Sequence, residues 1–347
     1  MGVRLAVGTM KGAFVLESRD RKTWTFQGPI FKGWVVSAFG RAPGGDYLLA
    51  TGSSWYGAAI HRSKDLAEWQ QIVDGPAYAG DQDRKLTKVW RMITSKDAIF
   101  AGVEEAGLFR STDLGETWDP FEGLNEHPTR PGWYPGAGGL CAHAIVTDPA
   151  SGRLWCGISA VGVFRSPDGG AGWSPINDGV PKTQEVEDHP SIGYCVHALV
   201  GDPKDPDRIW RQDHQGVFRT EDGGETWNRI ENGLPAGFGF AMALDQPSGA
   251  LFVIPMESDE YRLPVGGELR VYRSTDGGDS WQISGTGLPE SPTYAGVLRG
   301  AISSDGEGGI YFGTTSGTLH YTTDVGETWH TLPQLLPRVL AVQVFID

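Results

Sequence analysis

The chain has 347 residues, 21% of them charged, with a formal net charge of −14. That charge argues against a nucleic-acid partner, because phosphate backbones are bound by basic faces. No apolar stretch nears the ~20 residues of a membrane span, so no membrane is expected, and three cysteines (Cys141, Cys156, Cys195) do not make a disulfide framework. The chain opens directly into strand-like sequence with no signal-peptide pattern, which points to a cytoplasmic protein.

In chain order, strand-like runs at 3–7 and 13–16 come first, then a short phrase from Ser18 through Asp20 to Trp24. A run at 34–37 follows, and the phrase recurs from Ser63 through Asp65 to Trp69. After a run at 89–92 it reaches its full form at 111–118, Ser/Thr-x-Asp-x-Gly-x-Thr-Trp. Full copies return at 166–173, 220–227, 274–281 and 322–329, with Ser or Gly sometimes replacing the last Thr. Further runs lie at 141–146, 195–200, 240–244, 297–302 and 339–345. The closing tryptophans recur at intervals of 45 to 55 residues, which marks a repeat architecture. Short β-type runs flank most copies, and Asp-x-Gly between them is a hairpin signal. The carboxylate can accept backbone N–H bonds within the turn, Gly permits positive φ, and the Trp packs as an apolar anchor. Asp113, Asp168, Asp222, Asp276 and Asp324 are therefore read as fold-forming rather than as a catalytic or calcium-binding array.

The phrase resembles the Asp-box (BNR) repeat of sialidases and related β-propellers, over nearly the whole chain. The stretches 124–133, 138–143, 214–217 and 255–262 are similar to a group of bacterial cytoplasmic Asp-box proteins known as sialidase-like or glycosyl hydrolase-like. The resemblance implies an all-β fold: one seven-bladed β-propeller of four-stranded blades spanning 1–347. It also places the Asp-box in the turn between the third and fourth strands of each blade. On that layout the run at 339–345 is the first strand of the blade that the N-terminus begins, and its pairing closes the fold without a free edge. The remaining loops then gather at one mouth. Those between blades lie at 74–86, 121–139 and 177–192. Those between second and third strands lie at 51–56, 103–106, 212–215 and 255–267.

The mouth is expected to collect Glu104, Glu105, His127, Arg130, Trp133, Tyr134, His189, Asp213, His214, Glu257, Asp259, Tyr261 and Arg262. Acids, histidines, arginines and aromatics are the residue types of a polar-ligand site, and exposed loops are polar in any case. His143 and His197 occupy the same place in a repeated sentence, Cys-x-His-Ala-x-Val-x-Asp, on the innermost strands of adjacent blades. They read either as hydrogen-bonded core histidines or as a paired site joined by His214. With carboxylates such as Glu105 or Glu257, three histidines can hold a divalent metal. Arg91 and Arg299 lie near the same point of their own inner strands. With Arg130 and Arg262 they can form an anion clamp, because guanidinium forks a carboxylate. The sialidase resemblance implies a Tyr nucleophile, for which Tyr261 beside Glu260 is the candidate.

Three functions follow. The first is a sialidase-like glycoside hydrolase acting on a polar sugar, neutral or acidic, with Glu105 and Glu257 or Asp259 as the two carboxylates and Trp133 or Tyr134 as a stacking platform. The second is a histidine- or metal-dependent propeller lyase or hydrolase built on His143, His197 and His214. The third is a non-catalytic binding or assembly propeller. The expected ligand is a small molecule or carbohydrate, a protein partner stays open, and no cofactor beyond the metal is implied.

Overall fold

The computed structural model describes residues 2–53, 55–78, 84–290 and 292–346. The loops expected at 51–56 and 74–86 fall partly outside these, at Ser54 and at 79–83. The described residues form seven four-stranded antiparallel sheets, the blades of a β-propeller, with almost no helix. No helix among them is long and apolar enough to cross a membrane.

The first blade joins both ends of the chain. Val339–Ile346 pairs with Val3–Thr9, which pairs in turn with Gly12–Ser18 and Thr25–Ile30. The register runs from Val3 opposite Ile346 to Val7 opposite Val342. Val3, Leu5, Val7, Val342 and Val344 are all buried, so the ladder is stabilised by apolar burial as well as by backbone bonds.

The other inner strands are Val35–Arg41, Val89–Ser95, Ala142–Thr147, Ala198–Asp202, Gly239–Asp245 and Ile302–Ser304. Two begin later than the sequence suggests. In the fifth blade the Cys195 N–H donates to the Thr183 hydroxyl (3.0 Å), so pairing starts only at Ala198. In the seventh, Ala301 N–H turns back to the Leu298 carbonyl (3.0 Å), which leaves Arg299 in a bend ahead of the strand. Several inner strands shift register at their start, around Trp90, at His143 and across Phe240. Such bulges re-aim a side chain at a sheet rim.

The tryptophan-closed turns are self-contained. At 111–118 the Ser111 hydroxyl donates to Asp113 (2.8 Å) and accepts from Gly115 N–H (2.8 Å). Asp113 also accepts from Thr117 N–H (3.0 Å) and hydroxyl (2.6 Å). The Thr117 hydroxyl bond is the largest influence holding the Asp113 carboxyl down at about 2. Asp276 is held at about 2 by the equivalent Ser280 hydroxyl. Asp168, Asp222 and Asp324 are engaged in the same way. Trp227, Trp281 and Trp329 reach back to the preceding blade, donating to the carbonyls of Ile176, Ile230 and Ser284.

The chain packs as two compact units. One is built from the chain up to Val36, Trp210–Arg219 and the chain from Asn228 onward; the other is Ser37–Ile209 with Thr220–Trp227. The first has an apolar core that includes Leu5, Leu16, Phe252, Phe312 and Trp329. In the second, separate cores surround Phe121, Phe164 and Trp173, and Leu48, Val89 and Phe109.

Candidate functional site

In the Ser37–Ile209 unit, the sequence candidates gather around two residues with left-handed backbone. Glu105 and Ala106 both have φ of +49°. For non-glycine residues this conformation persists only where the surroundings enforce it. Arg130 enforces it here, donating to the carbonyls of Glu105 (2.5 Å) and Ala106 (2.9 Å) while lying over the Trp133 ring at 4.9 Å. The Tyr78 hydroxyl adds a bond to the Glu105 carbonyl (3.3 Å), and burial pushes its pKa up to about 12. Arg130 is thus spent on backbone, and burial lowers its pKa.

The loop following this blade places its polar groups inward. Trp133 is buried in the apolar core, donating to the Thr129 hydroxyl (2.9 Å), so the stacking platform expected there is not presented to solvent. Tyr134 beside it is exposed. His127 is also buried, between Thr129 (2.8 Å) and the Trp173 carbonyl (3.3 Å), and burial lowers its pKa. His189 packs over Gly132, where a β-carbon would meet the imidazole at 2.6 Å.

A second group forms at the bulges. The Trp90 indole donates to Glu104 (3.0 Å), carries the Lys88 ammonium 3.3 Å above its ring, and lies 6.3 Å from the His143 ring. His143 is buried and bonds the Ser159 hydroxyl through Nε2 (3.1 Å). His197, expected at the same strand position, precedes its strand by one residue and is fully buried. Its ligand nitrogen and the Cys195 sulfur lie within 4.8 Å of each other, two groups of the kinds that zinc accepts. Arg91 is half-buried, with burial lowering its pKa.

In the other unit the candidates converge on three apolar side chains, Phe238, Phe240 and Met256. Arg299 and Arg262 both lie over the Phe240 ring, at 4.7 and 5.7 Å, positions that favour a cation on an aromatic face. The His214 ring packs 5.4 Å from Phe238, and its Nδ1 is 3.7 Å from the Asp259 carboxylate. Burial lowers the His214 pKa; Asp259 opposes that, while Arg262 and Arg299 add to it. Glu257 and Asp259 are exposed on the loop that follows the second strand, and Glu257 accepts from Gly266 N–H (3.3 Å). Asp213 is not part of this exposed group. It is fully buried, paired with Arg211 (2.8 Å), and burial raises its pKa.

The most exposed aromatics complete the inventory. Trp55, Tyr56, Tyr134, Tyr261 and Tyr294 are 56–89% exposed. All lie in loops joining second to third strands or one blade to the next, away from the repeat turns. Trp55, Tyr56 and Tyr294 escaped the sequence reading. The signal was present as an adjacent Trp-Tyr pair in a loop, a costly surface choice for a chain that could have used polar residues.

The fold defines a seven-bladed β-propeller whose longer loops carry acids, histidines, arginines and exposed aromatics. No family model matches the chain. It is 26% identical over 229 residues to a xyloglucanase of Paenibacillus sp. and 26% over 207 residues to a probable oligoxyloglucan-reducing end-specific xyloglucanase of Neosartorya fischeri. Each match covers 56% of this chain, which spans only 21% and 24% of the two relatives. Among solved structures, YCF48 bound to D1 peptide aligns with a TM-score of 0.56 at 14% identity, covering 86% of this chain and 82% of that one. An ancestral GH74 enzyme also gives 0.56, at 18% identity, with 86% and 38% coverage. Virginiamycin B lyase from Staphylococcus aureus gives 0.56 at 13%, with 86% and 84%. At these identities the structural likenesses establish the fold alone.

Proposed function

We propose that the chain is a glycoside hydrolase acting on a β-glucan such as xyloglucan, with its reacting carboxylates on the 255–267 loop. The observation that carries this reading is the grouping of Glu257 and Asp259 with His214, Arg262, Arg299 and the exposed Tyr261, in a chain similar in sequence to two xyloglucanases. Hydrolysis of a glycosidic bond uses two carboxyl groups. One protonates the leaving oxygen, and the other activates water or attacks the anomeric carbon. Asp259, whose carboxylate lies 3.7 Å from the His214 ring nitrogen, is assigned as the base or nucleophile, and Glu257 as the acid. The arginines also suit an acidic sugar, as the resemblance to sialidases implies, because guanidinium pairs with carboxylate bidentately. Exposed tyrosine faces supply apolar surface for sugar rings.

The test is chromatography of the products from xyloglucan, other β-glucans and sialylated glycans, using wild type, Glu257→Gln and Asp259→Asn. Oligosaccharide release by wild type, lost in both variants, is the expected result. Retention on a glycan without release would reassign the chain as a non-catalytic binding propeller. Neither retention nor release on any of the glycans would sink the reading.

A further inference from the structure

The repeat contains an internal control. In five of the seven blades the residue just before the turn's Ser/Thr is an arginine, and in four of these it reaches the turn of the next blade. Arg62, Arg165, Arg219 and Arg273 occupy that position, and each donates to a turn carbonyl: Leu114, Gly223, Gly277 and Val325 respectively. Each also pairs with a carboxylate two residues further on, Glu116, Glu225, Asp279 or Glu327. Arg110 holds the same position in the third blade, but the residue that should answer it is Ala171. Among the described residues its guanidinium has neither a carboxylate nor a carbonyl partner. Its Nε is buried without a bond, as are those of Arg62 and Arg273, so the difference lies at the guanidinium's outer nitrogens; the group lies 5.6 Å from the Phe121 ring.

A cavity of roughly 340 Å³ stands where that ion pair is missing. Phe100, Ala98, Pro149 and Leu154 give it apolar walls, and Arg110 and Thr112 give it a cation and a hydroxyl. Lys96 lies at its rim as a second cation. Asp97 and Asp148 also line it. Asp97 is exposed, and Asp148 is already committed to Ala150 N–H (3.0 Å), the Ser151 hydroxyl and Arg153 (3.4 Å).

We propose that this cavity binds a carboxylate carried on an apolar group, with Arg110 taking the ligand's carboxylate in place of the absent side-chain acid at 171. Four arginines in the same setting hold a carboxylate, so the fifth is preorganised for one, and a preorganised guanidinium loses little freedom on binding. The apolar walls select the body of the ligand. A free small acid and a peptide ending in an apolar residue share this chemistry.

Calorimetric titration with phenylacetate, and with neutral phenylacetamide as control, tests the site in the full chain. Wild type is expected to bind the acid at least tenfold more tightly than the amide, with affinity falling as salt rises. Arg110→Gln is expected to weaken binding tenfold or more. Ala171→Glu is expected to abolish it while raising the melting temperature, because the missing ion pair is restored. A short peptide ending in Phe, as free acid and as amide, identifies the source. Tighter binding of the peptide acid than of phenylacetate assigns a protein terminus; the reverse assigns a small acid, and both outcomes support the site. Equal binding of acid and amide, unchanged binding in folded Arg110→Gln or Ala171→Glu, or no binding of phenylacetate up to about 10 mM would overturn the proposal.

Discussion

The tryptophan-closed turns and the loops at the other ends of the strands use their polar groups in different ways. At 220–227 the Asp222 carboxylate accepts from the Thr220 hydroxyl (2.6 Å), the Thr226 N–H (3.0 Å) and the Thr226 hydroxyl (2.7 Å), all within the turn. Its carboxylate is engaged by the turn's own groups. At 255–267 the Glu257, Asp259 and Arg262 side chains are exposed beside an outward-facing Tyr261. The lesson concerns repetition. A group that recurs at the same place in every blade answers a demand of the fold, and a group that occurs once answers something else. Arg110 shows the same logic inside the repeat, because its missing partner stands out only against four intact pairs.

The largest expected effect comes from the strand that joins the two chain ends. Deleting residue 339 onward removes the neighbour of Val3–Thr9 and exposes its buried Leu5 and Val7. Loss of soluble, cooperatively melting protein is expected, read by scanning calorimetry; an unchanged melting curve would show that the ladder is dispensable. Next is the turn anchor. Trp227 is 3% exposed and donates to Ile176, so Trp227→Ala should cost about 3–5 kcal/mol in denaturant unfolding. A cost below about 1 kcal/mol would erase the contrast between turns and loops.

A smaller effect is expected from acid. The folded carboxyls of Asp113, Asp222 and Asp276 sit at about 2, below the ordinary value of 3.8. A depressed folded pKa contributes stability that is fully present above the ordinary value and is lost as pH falls through the folded one. The melting temperature should therefore decline between about pH 4 and pH 2, and Asp113→Asn should flatten that decline. The smallest stability effect belongs to the loops. Tyr261→Ala and Trp55→Ala should shift stability by no more than about 0.5 kcal/mol, since neither side chain is packed.

Much of the fold was legible because it rests on repetition. The Asp-Gly turns, the closing tryptophans and the apolar run at 339–345 are local signals, and each stands in the structure where its period implies. The candidate site was only partly legible, for reasons of direction and burial. Sequence placed Trp133 and Tyr134 together in one loop, but only packing decides that Trp133 turns inward and Tyr134 outward. It paired His143 with His197, but the bulge at His143 and the Thr183 hydroxyl that delays the neighbouring strand separate their settings. Asp213 looked like a loop acid because nothing in its immediate neighbours shows that Arg211 is buried against it. The stacking of Arg262 and Arg299 on Phe240 joins three distant segments and has no local signature.

The most direct test pairs two readouts on two variants. Retardation of the protein in gels containing xyloglucan is measured beside its melting temperature, for Asp222→Ala and Tyr261→Ala against wild type. The expected result is a crossed pattern: Asp222→Ala melts earlier and is retarded like wild type, whereas Tyr261→Ala melts like wild type and migrates freely. The opposite pairing, or loss of retardation in folded Asp222→Ala, would place the ligand at the turns and contradict the division of labour proposed for this molecule.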